Sequence, residues 1–170
     1  QDIDVAKLQT RLRTDPLVNG LRPEILIDND DSARVIRRGE WERVTKGGKY
    51  GLSLLRSVTG KPASAFFEPG KALQPGQYVV YVYNPNSEGG GGNPDADSRR
   101  NDKASRVTVR INTGKQIVER SISQQERNND WISLGTFDFM IKERKPYIEV
   151  STERADNPVV ADAVLLVPTK

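Results

Sequence analysis

From Glu24 onward, apolar residues recur at nearly every second position, the period of a β-strand with one buried face. The segments ILID (25–28), GKYGLSLL (48–55), ASAFFE (63–68), QYVVYVYN (77–84), SRVTVRI (105–111), QIVERSI (116–122), WISLGTFDF (131–139), YIEVS (147–151) and VVADAVLLV (159–167) all read as strands separated by turn formers. About nine short strands at this spacing predict an all-β, antiparallel β-sandwich of jelly-roll type. Residues 4–14 (DVAKLQTRLRT) differ: Val5, Leu8 and Leu12 stand at helical spacing, and Asp15-Pro16 ends the run. The organisation expected is an N-terminal helix and linker over 1–23 and a sandwich domain over 24–170.

Individual runs carry finer expectations. In SRVTVRI, Val107, Val109 and Ile111 should be buried while Arg106, Thr108 and Arg110 face away. QYVVYVYN and VVADAVLLV are apolar on both faces, as in strands central to a covered sheet. Gly114 in NTGK suits a left-handed hairpin position, and Gly135 marks a bulge or close backbone approach. Asp162 interrupts the last run, sharing a face by alternation with Val160, Val164 and Leu166. An unpaired carboxylate buried there is costly, so it needs hydrogen bonds, a cation side chain or a metal.

Composition removes whole classes of chemistry. The 170 residues contain no histidine and no cysteine, which excludes imidazole bases, thiolate nucleophiles and zinc-ligating Cys/His sets. No segment has the apolar length of a membrane span, and residues 1–20 lack the apolar core of a signal peptide. Net charge is +3, but residues 34–61 hold eight Lys/Arg against Glu40 and Glu42. Such a stripe attracts polyanions or protects strand edges, and edge protection is the reading adopted; no nucleic-acid partner is expected. The glycine-rich run SEGGGGNPDADSRRND (87–102) lacks the Gly-Lys-Ser/Thr of a phosphate loop. Its Asn93, Asp95 and Asp97 alternate as in a calcium loop, yet Ser98 and Ala104 occupy the required Gly and Glu positions. Among the acids Asp28, Asp30, Asp31, Glu68, Asp138, Glu149 and Asp162, no spacing singles out a catalytic pair. A structural calcium held by Asp28, Asp30 and Asp162 is the one metal expectation, set beside a purely hydrogen-bonded Asp162; no other cofactor is expected.

In order, ILIDNDD (25–31), LQPGQYVVYVYNP (73–85), RVTVRINTGKQIV (106–118), DWISLGTFDF (130–139) and VVADAVLLVP (159–168) resemble the golvesin C-terminal-like domain. That family is also called a xanthan lyase-type, carbohydrate-binding-like domain. Ser105 departs from the tyrosine expected in the middle strand. The resemblance implies a galactose-binding-like sandwich and a secreted or periplasmic bacterial location. It also implies that VAKLQTRLRTDPLV (5–18) is the helix preceding this domain at the C-terminal end of FAD-dependent oxidoreductases. The chain itself carries no flavin fingerprint. The function expected is a noncatalytic accessory module that binds carbohydrate or polysaccharide, or targets a parent enzyme to it. The alternatives are a structural domain packed on a catalytic partner, and a polysaccharide lyase in its own right. Trp41, Tyr50, Tyr83, Arg99 and Arg100 are the candidate ligand-binding residues.

Overall fold

The structure, a computed structural model, describes residues 22–46, 49–85, 103–141 and 145–169. The expected helix at 4–14 and the loop arginines Arg99 and Arg100 lie outside these residues. Twelve strands form three antiparallel sheets among the described residues. The first sheet has the order β1-β12-β6-β9, built from β1 (Ile25–Asp28), β12 (Ala163–Pro168), β6 (Gly76–Asn84) and β9 (Asp130–Phe139). The second, β2-β5-β10-β7-β8, uses β2 (Val35–Gly39), β5 (Ala63–Phe67), β10 (Tyr147–Ser151), β7 (Val107–Asn112) and β8 (Ile117–Ile122). A small third sheet joins β11 (Val160–Ala161), β4 (Leu54–Ser57) and β3 (Trp41–Val44).

One core lies between the first two sheets. Ile25, Ile27, Tyr78, Val80, Val82, Val164 and Leu166 enter it from the first sheet, and Ala65, Phe67, Val107, Val109, Ile111 and Ile148 from the second. This is the sandwich that the alternation predicts. Val107, Val109 and Ile111 are fully buried as expected, and β6 and β12 are the central strands of their sheet. Gly114 takes φ +87° in the β7–β8 turn. At Gly135 (φ +113°) the β6–β9 register slips, since Val80 pairs with Gly135 but Tyr81 pairs with Ser133, leaving Leu134 as the bulge.

Three expectations need correction. Residues 49–53 of GKYGLSLL are not strand; the strand begins at Leu54 and ends at Ser57. VIRRG and WERV, inside the basic stripe, are strands β2 and β3. Both lie at sheet edges, and β2 anchors only Val35 in the core, so neither shows an apolar alternation. VVADAVLLV is two strands rather than one. Val160–Ala161 pairs with β4, whereas Ala163 onward pairs with β1 and β6. The alternation slips by one at the break: Val159 and Ala161 enter the core before it, Val164 and Leu166 after it.

Arg22 fastens the start of the described chain to the sandwich. Its guanidinium donates to the carbonyls of Pro75 (3.1 Å), Gln77 (2.9 Å) and Thr169 (3.0 Å) and lies 4.6 Å from the centre of the Tyr78 ring. It fills the space beside Gly76, where φ is +139° and a Cβ would overlap the guanidinium. Gly76→Ala should therefore strain the backbone and expel Arg22 together, costing about 2 kcal/mol. Arg22→Ala should cost less, about 1 kcal/mol, because only the side-chain interactions go. Urea midpoints of the two variants test that order; equal losses would mean that the glycine's conformation contributes nothing.

Candidate functional site

The solvent side of the first sheet is unusually aromatic. Tyr81 and Tyr83 alternate with core-facing Val80 and Val82 on β6, so both tyrosines must point outward. Trp131 is the cross-strand partner of Tyr83 on β9. Tyr50, from the segment between β3 and β4, folds over them. The three rings of Tyr50, Tyr83 and Trp131 pack edge-to-face, with centroids 5.5, 5.3 and 5.3 Å apart. Trp131, Ala163 and Leu165 form the buried floor, with Leu26, Tyr81 and Val167 around it. Trp131 is 3% exposed, while Tyr50, Tyr81 and Tyr83 remain partly open. No described residue hydrogen-bonds the hydroxyls of Tyr50, Tyr81 or Tyr83, in contrast to Tyr78, whose hydroxyl donates to the Gln74 carbonyl at 2.8 Å.

A cluster of carboxylates borders this face at the junction of the first and third sheets. Asp162, the residue between β11 and β12, is 2% exposed, and its Oδ2 accepts from the Tyr50 backbone N–H at 2.7 Å. Because of the slipped alternation it turns towards Tyr50, away from the core side occupied by Val164 and Leu166. Its carbonyl accepts from the Asn29 N–H at 2.7 Å. The Asn29 amide, oriented by its surroundings, donates to the Ser53 carbonyl (2.7 Å), Asp28 Oδ1 (3.1 Å) and Asp162 Oδ1 (3.3 Å). One side chain thus bridges two carboxylates. The Ser53 hydroxyl is 2.8 Å from both Asn29 Oδ1 and Asp30 Oδ2, which compete for its proton. Asp30 is engaged by Arg43, whose Nε and Nη2 donate at 2.8 and 3.0 Å.

Environment separates these acids electrically. Burial pushes the Asp162 carboxyl up to about 7, against the opposing Tyr50 N–H and with Asp28 and Asp30 adding to the rise. Burial also raises Asp28, whereas the Arg43 guanidinium lowers Asp30. Tyr83 is raised by burial first, then by Asp162, Asp130 and Tyr50, so its phenol stays protonated at neutral pH. Among the described residues, no three acids gather about one point as a metal would need. Asp28 and Asp162 share Asn29, and Asp30 is turned to Arg43 and Ser53.

The structure thus brings Tyr50 and Tyr83 together beside Asp28 and Asp162. Trp41 lies elsewhere: it packs against the main core and its Nε1 donates to the Ser64 carbonyl at 3.1 Å. The basic stripe is partly neutralised by Arg34–Asp31, Arg43–Asp30 and Lys61–Glu40 ion pairs. Tyr81 and Trp131 are among the five rings the sequence offers as a sugar platform but lie outside the candidate set, and Asn29 has no signal of its own. The Tyr81 direction was readable from alternation, but the Trp131–Tyr83 pairing needed the register of two distant strands.

Comparisons with known proteins agree with this architecture. The model of the Golvesin C-terminal domain matches residues 25–168. Xanthan lyase of Bacillus sp. (strain GL1) is 28% identical over 151 residues, covering 85% of this chain and 15% of that protein. The chain therefore spans a small part of this curated relative. The structure of a Paenibacillus xanthan lyase superposes with a TM-score of 0.70 at 24% identity, over 88% of this chain and 13% of that one. The CBM35 of Cellvibrio japonicus Abf62 superposes with a TM-score of 0.52 at 14% identity, over 87% of this chain and 95% of that one. In the last match almost the whole of that chain shares this fold. By sequence and by fold, the chain belongs to the Golvesin C-terminal domain family.

Proposed function

We propose that this domain is a noncatalytic carbohydrate-binding module and that the tyrosine face of the first sheet is its contact surface. The observation that carries the reading is the Tyr50–Tyr83–Trp131 group, which offers ring edges and unengaged hydroxyls next to acceptor carboxylates. Sugars present C–H patches and hydroxyls side by side, and amphipathic rings meet both. A protonated Tyr83 donates and accepts hydrogen bonds but is a poor base, which argues against a lyase role for this face. In a longer, secreted or periplasmic polypeptide of a bacterium, the domain would hold a catalytic partner on polysaccharide. No helix among the described residues is long and apolar enough to cross a membrane.

Affinity electrophoresis in gels containing xanthan or neutral polysaccharides tests this. Retardation is expected with at least one polymer, weakened roughly tenfold (about 1.4 kcal/mol) by Tyr83→Ala with an unchanged circular dichroism spectrum. Absence of retardation by every polymer would remove the reading, and release of unsaturated products from xanthan would overturn the noncatalytic assignment.

One observation favours a second reading, a domain that packs against a catalytic neighbour. On the solvent face of the second sheet, Ile36 pairs with Phe66, whose ring lies 5.1 Å from that of Tyr147. Tyr147 pairs in turn with Asn112, and Asn112 with Ile117; Ile36 and Ile117 are 45% and 46% exposed. In a longer polypeptide, Phe66→Asp would then speed proteolytic release of this domain while leaving glycan retardation intact.

A further inference from the structure

A concavity lies away from the tyrosine face and shares no residue with it. It is a cleft of about 730 Å³ between the β4–β5 turn and the loop joining β10 to β11. Small-molecule ligands occupy sites of roughly 300–1,000 Å³, and the cleft lies within that range. Its walls are tied down by their own hydrogen bonds. The Ser57 hydroxyl accepts from the Val159 N–H at 2.8 Å, and Thr152 Oγ1 accepts from the Ala63 N–H at 2.9 Å. Asp156 accepts from the Ser105 N–H at 2.9 Å and from the Ser105 hydroxyl. The turn is closed by the Lys61 N–H donating to the Val58 carbonyl at 3.1 Å, with Gly60 at φ +76° and open space where a Cβ would stand.

Other lining groups are not engaged. No described residue bonds the side chains of Thr59 or Asn157, both exposed and both lining the cleft. Trp41 stands behind this wall, paired with Ser57 and bonded to the Ser64 carbonyl, both lining residues. The lining therefore combines a fixed scaffold with free hydroxyl and amide groups, which lowers the ordering cost of binding. Its charged members are Lys61, paired with Glu40, Glu153, paired with Arg110 and Arg154, and Asp156, which is held only by Ser105 and backbone groups. With Lys61 and Glu153 both in ion pairs, Asp156 is the lining charge without a cationic partner among the described residues, so an anionic ligand would meet negative charge and no free positive one.

We infer that this cleft is a second binding site, for a neutral polyhydroxylated ligand such as an uncharged sugar unit of a glycan, held by Thr59 and Asn157 against the Gly60 turn. It goes beyond the tyrosine-face reading and borrows from it only the class of ligand. The test is a 15N–1H correlation titration of the 170-residue chain with methyl glycosides of glucose, galactose and mannose, and with glucuronate. At least one neutral glycoside should shift Thr59, Gly60, Asp156 and Asn157 saturably. Asn157→Ala should weaken that binding at least fivefold, while Tyr83→Ala leaves it unchanged. Tighter binding of glucuronate than of every neutral probe at these residues would overturn the assignment. Shifts confined to Tyr50, Tyr83 and Trp131 would also overturn it while leaving the tyrosine-face reading standing. Shifts confined to the cleft would uphold it and remove the tyrosine face. Silence at both places would remove both.

Discussion

Lys103→Met should lower the stability of this domain by about 3 kcal/mol, although methionine matches the stem and removes a buried charge. Lys103 is 1% exposed, and its ammonium donates to Asn84 Oδ1 (3.1 Å), the Pro85 carbonyl (2.6 Å) and Asn128 Oδ1 (2.7 Å). Burial pushes its pKa down to about 8, so it is still mostly charged at pH 7. Removing the charge relieves a desolvation cost on the order of 3 kcal/mol. Against that stand three hydrogen bonds from a charged donor, roughly 1.5–3 kcal/mol each, and methionine would leave two of their acceptors, Asn84 Oδ1 and the Pro85 carbonyl, buried without that donor. The loss wins. It extends further because the same acceptors organise the turn before β9: Asn84 Nδ2 donates to the carbonyls of Gln124 (3.1 Å) and Glu126 (2.6 Å). That turn also holds Arg127 at φ +51° and Asn129 at φ +58°, conformations that cost free energy unless surrounding contacts impose them. Urea denaturation at pH 7 measures the difference, and a loss under about 1 kcal/mol would show that the ammonium's desolvation cancels its bonds.

Lys103 also shows where sequence reading ran out. Strands such as β7 announce their core face by alternation, with Val107, Val109 and Ile111 in the core; the opposite face reads as wet, yet Thr108 and Asn112 there are buried under neighbouring side chains and loops. Lys103 sits in a polar stretch, DKASR, with nothing to mark it as buried; its three oxygens come from positions 84, 85 and 128. Gln124 is similar. Its side chain donates to and accepts from the backbone of Val160, at 2.7 and 2.9 Å, covering the end of β11 as a strand would. Such residues substitute for missing backbone partners, and their role depends on which loops meet rather than on local pattern.

The candidate face was half legible. Tyr50, Tyr83, Asp28 and Asp162 were selected from the sequence and are neighbours in space. Their grouping rests on one feature that period-two reading misplaces, the slip at Asp162. A continuous strand would have put the carboxylate beside Val164 and Leu166 in the core. The break moves it to the side of Tyr50 and lets β11 leave for another sheet. The motif residues Asp28, Asn29 and Asp30 then have a physical reason to stand together: the Asn29 amide joins Asp28 to Asp162, and Asp30 carries Arg43. Trp41 stands apart from this group for the opposite reason. A tryptophan among charged residues looks exposed, but β3 lies against the core edge and its ring is drawn inward.

That arrangement makes stability depend on pH in a direction opposite to most carboxylates. Unfolded, Asp162 releases its proton near 3.8; folded, it keeps it up to about 7. Between those values the folded state binds more protons, so this group's contribution is complete below pH 4 and is lost as pH rises through 7. The amount is on the order of 3–4 kcal/mol for a group so buried. Asp28, raised for the same cause, adds in the same direction, while the lowered Asp30, Glu153 and Asp156 act oppositely from exposed, screened positions. Asp162→Asn isolates the term, since an asparagine Oδ1 can still accept from the Tyr50 N–H. The variant should match the parent near pH 4 and exceed its melting temperature at pH 8; parallel profiles would show that Asp162 titrates normally. Calcium divides the remaining possibilities at pH 8, where Asp162 is ionised. A cation held by Asp28, Asp30 and Asp162 would raise the melting point of the parent but not of Asp162→Asn, by the linkage between binding and folding. Equal indifference to calcium and to EDTA would leave the Asn29 amide and the Tyr50 N–H as the partners that make this buried carboxylate tolerable.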